Sequence, residues 1–256
     1  MKTPALALFF LVAFLPGVAA AQMSLSAGVE YLDWRENTTP AVTETGPIFA
    51  LGLGYMQERD AGAVFAYRGK LWAGNVNYQG ATLFGNAPLQ GTTNYAGLDN
   101  ELQLRWRKAS KPGYVDGVLG LGLDAWRRQL TAVQKEDYYI AYLRGGIESG
   151  TRDPTGWLAG IGLKYPVWAR ENAHLDQIGF DSNPSLQPGR QLSVYSNIGY
   201  RFSASWQLLA YYDSFRFSKS NEAQVNEVAN GLGPTTVFQP SSALSIYGLK
   251  LEYLFH

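Results

Sequence analysis

The chain contains no cysteine and only two histidines among its 256 residues. The lack of cysteine excludes disulfide bonds, thiol catalysis and cysteine metal sites. The scarcity of histidine leaves His174 as the one imidazole before the terminal His256, which restricts acid–base and metal chemistry to a single place. Basic and acidic side chains are equal in number, at 21 each. No net charge therefore favours nucleic acid as a partner.

Long hydrophobic runs are also lacking beyond the N-terminus. The run from Ala5 to Leu15 follows Lys2 and precedes the small residues of Pro16–Ala21. It is shorter than the roughly 18 residues that a membrane-spanning helix needs. The order of basic, apolar and small residues predicts a secretory signal peptide over residues 1–21. We expect residues 22–256 to form one domain, because that length suits a single barrel.

What the chain does contain is alternation of apolar and polar residues. In Tyr247–Phe255, for example, Leu249 and Leu251 share one face while Lys250 and Glu252 share the other. This period of two is typical of a β-strand. It predicts ten strands: Ser24–Trp34, Pro47–Gln57, Ala61–Ala73, Tyr95–Arg107, Tyr114–Trp126, Tyr138–Ser149, Gly156–Val167, Arg190–Phe202, Ala204–Phe217 and Ser242–Phe255.

The connectors between these strands alternate long and short. Arg35–Gly46 and Gly74–Asn94 are long, for example, whereas Glu58–Asp60 is short. Bacterial outer-membrane barrels have tight periplasmic turns and longer extracellular loops. The pattern therefore predicts an all-β fold, a transmembrane antiparallel up-and-down barrel in a Gram-negative outer membrane. An even strand number places both termini in the periplasm.

One face of the predicted strands is apolar and carries no charge, as in the series Leu119, Leu121 and Leu123. The opposite face carries an equal mixture of acids and bases. We expect these charges to pair inside a narrow lumen and brace it, although a constriction that selects solutes is the alternative. The predicted lumen network comprises Arg68, Lys70, Asp99, Glu101, Arg105, Arg107, Asp116, Arg144 and Glu148.

The seven tryptophans lie near the ends of the predicted strands. Indole is amphipathic and favours the level of the lipid headgroups. All seven are therefore expected to be membrane-interface aromatics. Trp34, Trp72, Trp126 and Trp168 belong to the extracellular ends, and Trp106, Trp157 and Trp206 to the periplasmic ends.

Local segments resemble the omptins, the aspartyl-type proteases of the outer membrane. Asn94-Tyr95-Ala96 followed by Asp99–Trp106 is similar to an omptin strand. Gly162–Trp168 is similar to the entry of the omptin loop that bears a catalytic Asp-His pair. The final strand is similar as well. The resemblance implies a ten-stranded outer-membrane barrel.

The catalytic pattern implied by this resemblance is not matched. Where omptins place two aspartates, this chain has Asn75 and Asn77, and an amide cannot act as a general base. In the loop that bears the Asp-His pair, His174 precedes Asp176 instead of following an aspartate. We therefore expect the omptin catalytic residues to be absent.

The remaining acid–base candidates are His174, Asp176 and Asp181. They are weak, because a solvated loop carries such residues without any catalytic role. No metal or cofactor is expected. Our leading hypothesis is a non-enzymatic barrel with a structural or surface-interaction role. A narrow porin for small solutes and an omptin-like or other envelope hydrolase are the alternatives. Expected partners are outer-membrane lipid, lipopolysaccharide and the barrel-assembly machinery.

Overall fold

A computed structural model of the chain describes residues 21–82, 87–110, 112–229, 231 and 233–255. Apart from Ala21, the predicted signal peptide lies outside these described residues. Among the helices of the described segments, none has the length and apolarity to span a membrane.

The described residues form a closed barrel of ten antiparallel strands. The barrel strands are β1 (Ala21–Glu36), β2 (Val42–Gln57), β3 (Gly62–Ala81), β4 (Pro88–Ser110), β5 (Gly113–Gln129), β6 (Lys135–Thr151), β7 (Gly156–Asn172), β8 (Gly189–Gln191), β9 (Ser193–Arg201), β10 (Trp206–Ser218) and β13 (Ser242–Phe255). Strands β8 and β9 are separated only by Leu192 and together make the eighth barrel strand. The barrel closes because β13 pairs with both β1 and β10. The predicted fold class is confirmed.

An uncharged apolar belt surrounds the outer wall. Its side chains are the large apolar residues that remain most exposed, with Phe49 at 66% and Ile161 at 68%. Cross-strand neighbours continue the belt around the barrel, since Leu102, Leu121 and Leu143 stand side by side on β4, β5 and β6. Inward-facing side chains such as Glu101 and Arg105 alternate with them and are buried.

The barrel has two different ends. The end that carries the tight turns, with Ala21 and Phe255, is called the turn end, and the opposite end is the loop end. The strands extend beyond the apolar belt at the loop end, and β3 and β4 reach 20 and 23 residues in length. A membrane crossing needs only about 9–11 residues. Much of what the sequence predicts as long connectors is therefore strand, because backbone pairing continues outside the belt.

The last loop carries a hairpin, in which β11 (Ala223–Glu227) pairs with β12 (Gly233–Val237). Val225 and Glu227 alternate with exposed residues and are buried at 4% and 2% exposure. A period of two in these few residues is typical of a β-strand.

The belt generates a first prediction. Leu121→Arg, on the belt and 54% exposed, should destabilise the barrel in a bilayer by about 2–4 kcal/mol, because a charge at mid-membrane depth loses its water. Urea titration of folding into phospholipid vesicles measures this.

Gln129→Arg is the matched control, since Gln129 lies on the same face of the same strand beyond the belt. Its cost should be about 0–1 kcal/mol. Equal costs for the two variants would contradict the assignment of the belt to lipid.

Candidate functional site: the barrel lumen and its cap

Ion pairs fill the central part of the lumen. Arg105 Nη1 lies 3.3 Å from Asp116 Oδ2, and its other terminal nitrogen contacts Glu148. Arg107 Nη2 lies 2.8 Å from the same oxygen of Asp116. Arg68 reaches Glu148 at 3.3 Å from a strand on another side of the lumen. These contacts join β3, β4, β5 and β6.

Two further groups complete this network. Arg144 lies 3.3 Å from Glu101. Lys70 Nζ lies 3.0 Å from both Glu30 and Asp99, and so links β1, β3 and β4. The nine residues of the predicted lumen network thus all form ion pairs inside the barrel. Buried ion pairs hold position well but add little net stability, because desolvation offsets most of the attraction.

A second component of the lumen is apolar and occupies its loop-end half. Trp126 stacks on Tyr138 with ring centroids 5.2 Å apart, and the ring of Trp34 lies 5.4 Å from that of Tyr138 at an angle of 60°. Phe215 lies 6.0 Å from Trp126. We call this cluster the aromatic plug. Its buried members are Leu32, Trp34, Ile48, Ala50, Trp72, Val76, Tyr95, Trp126, Tyr138, Ile140, Tyr142, Ala169, Phe215, Phe217, Leu244 and Ile246.

The plug corrects the interpretation of three tryptophans. Trp34, Trp72 and Trp126 are at most 4% exposed and point into the lumen, so they are not membrane-interface aromatics. Their positions along the strands lie at the edge of the belt. In the alternation of inward and outward residues, however, they fall on the inner face. The other four, Trp106, Trp157, Trp168 and Trp206, stand on the outer wall with exposures of 39–64%.

Glycines on neighbouring strands make room for the plug. A Cβ atom at Gly97 would overlap the indole of Trp72, and one at Gly122 would overlap the ring of Tyr142. Only a residue without a side chain lets these rings lie flat against the adjacent strand. The rings and the glycines are therefore parts of one packing arrangement.

A buried cluster around Arg128 covers the plug at the loop end. The Arg128 guanidinium lies 3.0 Å from Glu36, 2.6 Å from Glu44 and 2.7 Å from Glu136. Burial, with the nearby charges of Glu136 and Glu36, raises the pKa of Glu171 well above its ordinary value. The sequence analysis missed this cluster. The signal that could have found it is that these residues fall on the inner face when the strands are extended beyond the belt.

Above the Arg128 cluster lies a folded cap, which comprises residues 173–188 together with strands β11 and β12. Leu175, Phe180, Leu186 and Val225 form its small apolar core. The cap rests on the barrel through backbone hydrogen bonds between Glu171 and Leu186.

The predicted site residues lie within or beside this cap. Asp181 accepts hydrogen bonds from the backbone and side chain of Asn226, at 2.9 and 2.6 Å, and so ties the loop to the hairpin. These hydrogen bonds lower the pKa of Asp181. Asp176 is exposed. Neither Asp176 nor Asp181 pairs with His174.

His174 pairs instead with Asp137 on the outer wall of β6. The two side chains meet at 2.8 Å through His174 Nε2, and Arg127 donates to Asp137 at 2.6 and 2.9 Å. Burial alone would raise the pKa of Asp137, but hydrogen bonds from Arg127 and His174 hold it below its ordinary value. His174 has a left-handed backbone, with φ of 49°. The arrangement fastens the loop to the barrel wall.

Asn75 and Asn77 are exposed and lie on the outer wall, while Val76 and Tyr78 between and beyond them point inward. The amides thus do not face the lumen or His174. Among the described residues no group of three or more histidines and carboxylates is arranged to hold a metal ion.

Comparison with solved structures finds other barrels. The chain is similar to the outer membrane protease OmpT from Escherichia coli, at 12% identity over 92% of this chain and 96% of that one, with a TM-score of 0.49. It is also similar to the outer membrane protein OprG from Pseudomonas aeruginosa, at 13% identity over 94% and 98%, with a TM-score of 0.38. A third is Ail, the attachment invasion locus protein of Yersinia pestis, at 10% identity over 92% and 99%, with a TM-score of 0.34.

No protein-family model and no curated protein sequence matches the chain. At such low identities no activity, ligand or partner passes from these structures to this chain. The ten-stranded closed barrel expected from the omptin resemblance is confirmed by the strand pairing itself.

The Asp137–His174 contact generates a pH prediction. Because the folded pKa of Asp137 is depressed, the contact contributes stability that is complete above the ordinary value of 3.8 and is lost as pH falls below it. Amide hydrogen exchange over residues 173–188, corrected for the intrinsic effect of pH, should show protection at neutral pH that declines below about pH 4.

The variant Asp137→Asn should already lack this protection at neutral pH. Losing about 1 kcal/mol, the usual net contribution of one hydrogen bond, speeds local opening about fivefold. Asp176→Asn, in the same loop but exposed, is the matched control and should behave like the wild type. If both variants exchange alike, Asp137 does not hold the loop.

Proposed function

We propose that the chain is an outer-membrane β-barrel whose lumen is closed and whose role is non-enzymatic, with the cap acting as a contact surface on the cell exterior. Three features support this placement: the uncharged apolar belt, the ionic interior and the predicted leader. The proposal puts the turn end in the periplasm. The aromatic final strand, Tyr247–Phe255, then serves as the signal for the barrel-assembly machinery.

The aromatic plug is the observation that carries the proposal. Its rings and aliphatic side chains pack across the loop-end half of the lumen, and the Arg128 cluster covers them. A hydrated path for small solutes needs polar walls and open space along the whole axis. The plug supplies neither, so the closed barrel is favoured over the narrow porin.

The Asp137–His174 pair does not favour the hydrolase alternative. A hydrolytic site needs a nucleophile or a positioned water together with stabilisation for the developing charge. His174 and Asp137 instead contact each other, Arg127 donates to Asp137, and the backbone N–H of His174 donates to the side-chain oxygen of Asn172. The pair lies on the outer wall rather than in a cleft, and its geometry serves to fasten the loop.

The cap has features of a contact surface. Val228 and Phe238 flank the hairpin and are 58% and 40% exposed, although the hairpin keeps an apolar core of its own. Exposed apolar side chains on an ordered loop are typical of interaction sites. We propose that this surface meets partners outside the cell.

A basic patch on the outer wall fits lipopolysaccharide as a further partner. Arg170, Arg190 and Arg216 are exposed on the adjacent strands β7, β8 and β10, just beyond Trp168 and Leu192 of the belt. In this placement they lie at the level of anionic lipid headgroups. Arginine binds phosphate through paired hydrogen bonds.

A triple variant tests the patch. Replacing Arg170, Arg190 and Arg216 by glutamine should weaken binding of the folded barrel to lipopolysaccharide at least tenfold, because each lost charge removes about 1 kcal/mol of attraction near an anionic surface. Co-sedimentation with lipopolysaccharide micelles measures the affinity. Replacing Arg59, Lys108 and Arg152 at the turn end is the control, and an equal effect there would contradict the assignment.

The closed lumen is tested by conductance in a planar bilayer. The wild type should show no steady channel, whereas Trp34→Gly combined with Trp126→Gly should conduct, because removing two stacked indoles opens a hole through the plug. The double variant should also lose roughly 6 kcal/mol of stability, so heat-modifiable gel mobility is checked first.

Trp157→Gly combined with Trp206→Gly is the matched control, since it removes two indoles from the outer wall. It should leave the barrel silent. A steady conductance in the wild type would overturn the closed-lumen proposal.

A further inference from the structure

A chamber lies beside the ion-pair network, in the turn-end half of the lumen. It encloses about 250 Å³ and reaches residues near the strand ends, such as Gln22 and Leu254. Ser24, Ser26, Gly52 and Gly54 line it on β1 and β2. These small residues leave the lumen unfilled here, whereas large rings fill the loop-end half.

The chamber is lined by cations that are weakly matched by acids. The Arg68 side chain is 42% exposed, and its partner Glu148 is shared with Arg105 and Arg144. Among the described residues, Arg201 has no ion-pair partner. Each of these guanidinium groups retains capacity for a further acceptor.

Lys250 is the third under-matched cation. It stands 3.6 Å from Glu252, beyond a good hydrogen bond. That carboxylate already accepts hydrogen bonds from Ser24 at 2.6 Å and from Gln207 at 2.8 Å. The Lys250 side chain is 27% exposed inside the barrel, so its ammonium group is available to the chamber.

The charged side chains that line the chamber are six cations and five carboxylates. The cations are Arg68, Lys70, Arg105, Arg144, Arg201 and Lys250, and the acids are Asp99, Glu101, Asp124, Asp213 and Glu252. Three of these acids are engaged with lysines, because Asp99 pairs with Lys70 and both Asp124 and Asp213 pair with Lys164. The chamber therefore carries a small positive excess.

We propose that the turn-end chamber binds a small oxyanion, either an organic phosphate or a carboxylate, through Arg68, Arg201 and Lys250. The three under-matched cations set the negative charge of the ligand. The volume, below the roughly 300–1,000 Å³ of pockets for drug-sized molecules, sets its size. Arginine matches both oxyanion classes by paired hydrogen bonds. This inference does not depend on the proposed function.

The test uses the full barrel refolded in detergent micelles and titrated by calorimetry with inorganic phosphate and, separately, with succinate at low ionic strength. Saturable binding of at least one probe is expected. Arg201→Gln and Lys250→Gln should each weaken it tenfold or more. Arg201 has no ion pair to lose, so its variant should keep the fold, as heat-modifiable gel mobility checks.

Lys108→Gln is the matched control, because Lys108 lies at the same end but is exposed on the outer wall. It should leave the affinity unchanged. Binding of phosphate alone or succinate alone would identify the class of oxyanion. No saturable binding of either probe up to about 10 mM, a very weak affinity, would overturn the proposal. So would an affinity that both lumen variants leave unaltered.

Discussion

The closed ring of backbone hydrogen bonds is the constraint on which the rest of the structure depends. Because β13 pairs with both β1 and β10, every barrel strand has two neighbours. Closure leaves each residue only two choices, the inner or the outer face, and alternation decides between them. The uncharged belt on the outer face, and the ion pairs and the plug on the inner face, all follow from that alternation.

The lumen then divides into three parts with different chemistry. Aromatic rings pack under the Arg128 cluster at the loop end, where extended strands and inward glycines make room for them. Ion pairs on β3 to β6 extend from the centre towards the turn end. Small side chains on β1 and β2 leave a chamber at the turn end. A closed lumen and an open chamber are compatible, because they occupy different halves of the same barrel.

The sequence predicted the ten strands and their antiparallel barrel, because strand assignment rests on local alternation. The prediction placed Trp34, Trp72 and Trp126 on the outer wall because it considered only their position along the strand. It did not consider that their place in the alternation points them into the lumen, on strands that continue beyond the belt. Residue pairs that loops bring together could not be predicted from the sequence. His174 and Asp137 are 37 positions apart, and only the loop folding back onto the outer wall joins them.

The separation of the lumen contacts along the chain bears on how the barrel acquires its final state. Glu30 and Tyr211 are 181 positions apart, Arg128 and Glu44 are 84 apart, and Arg68 and Glu148 are 80 apart. Neighbouring hairpins form early because their loops are short, but contacts across the lumen must wait for distant strands to meet. The interior is therefore assembled last, and its ordering completes the transition from a curved open sheet to a rigid cylinder.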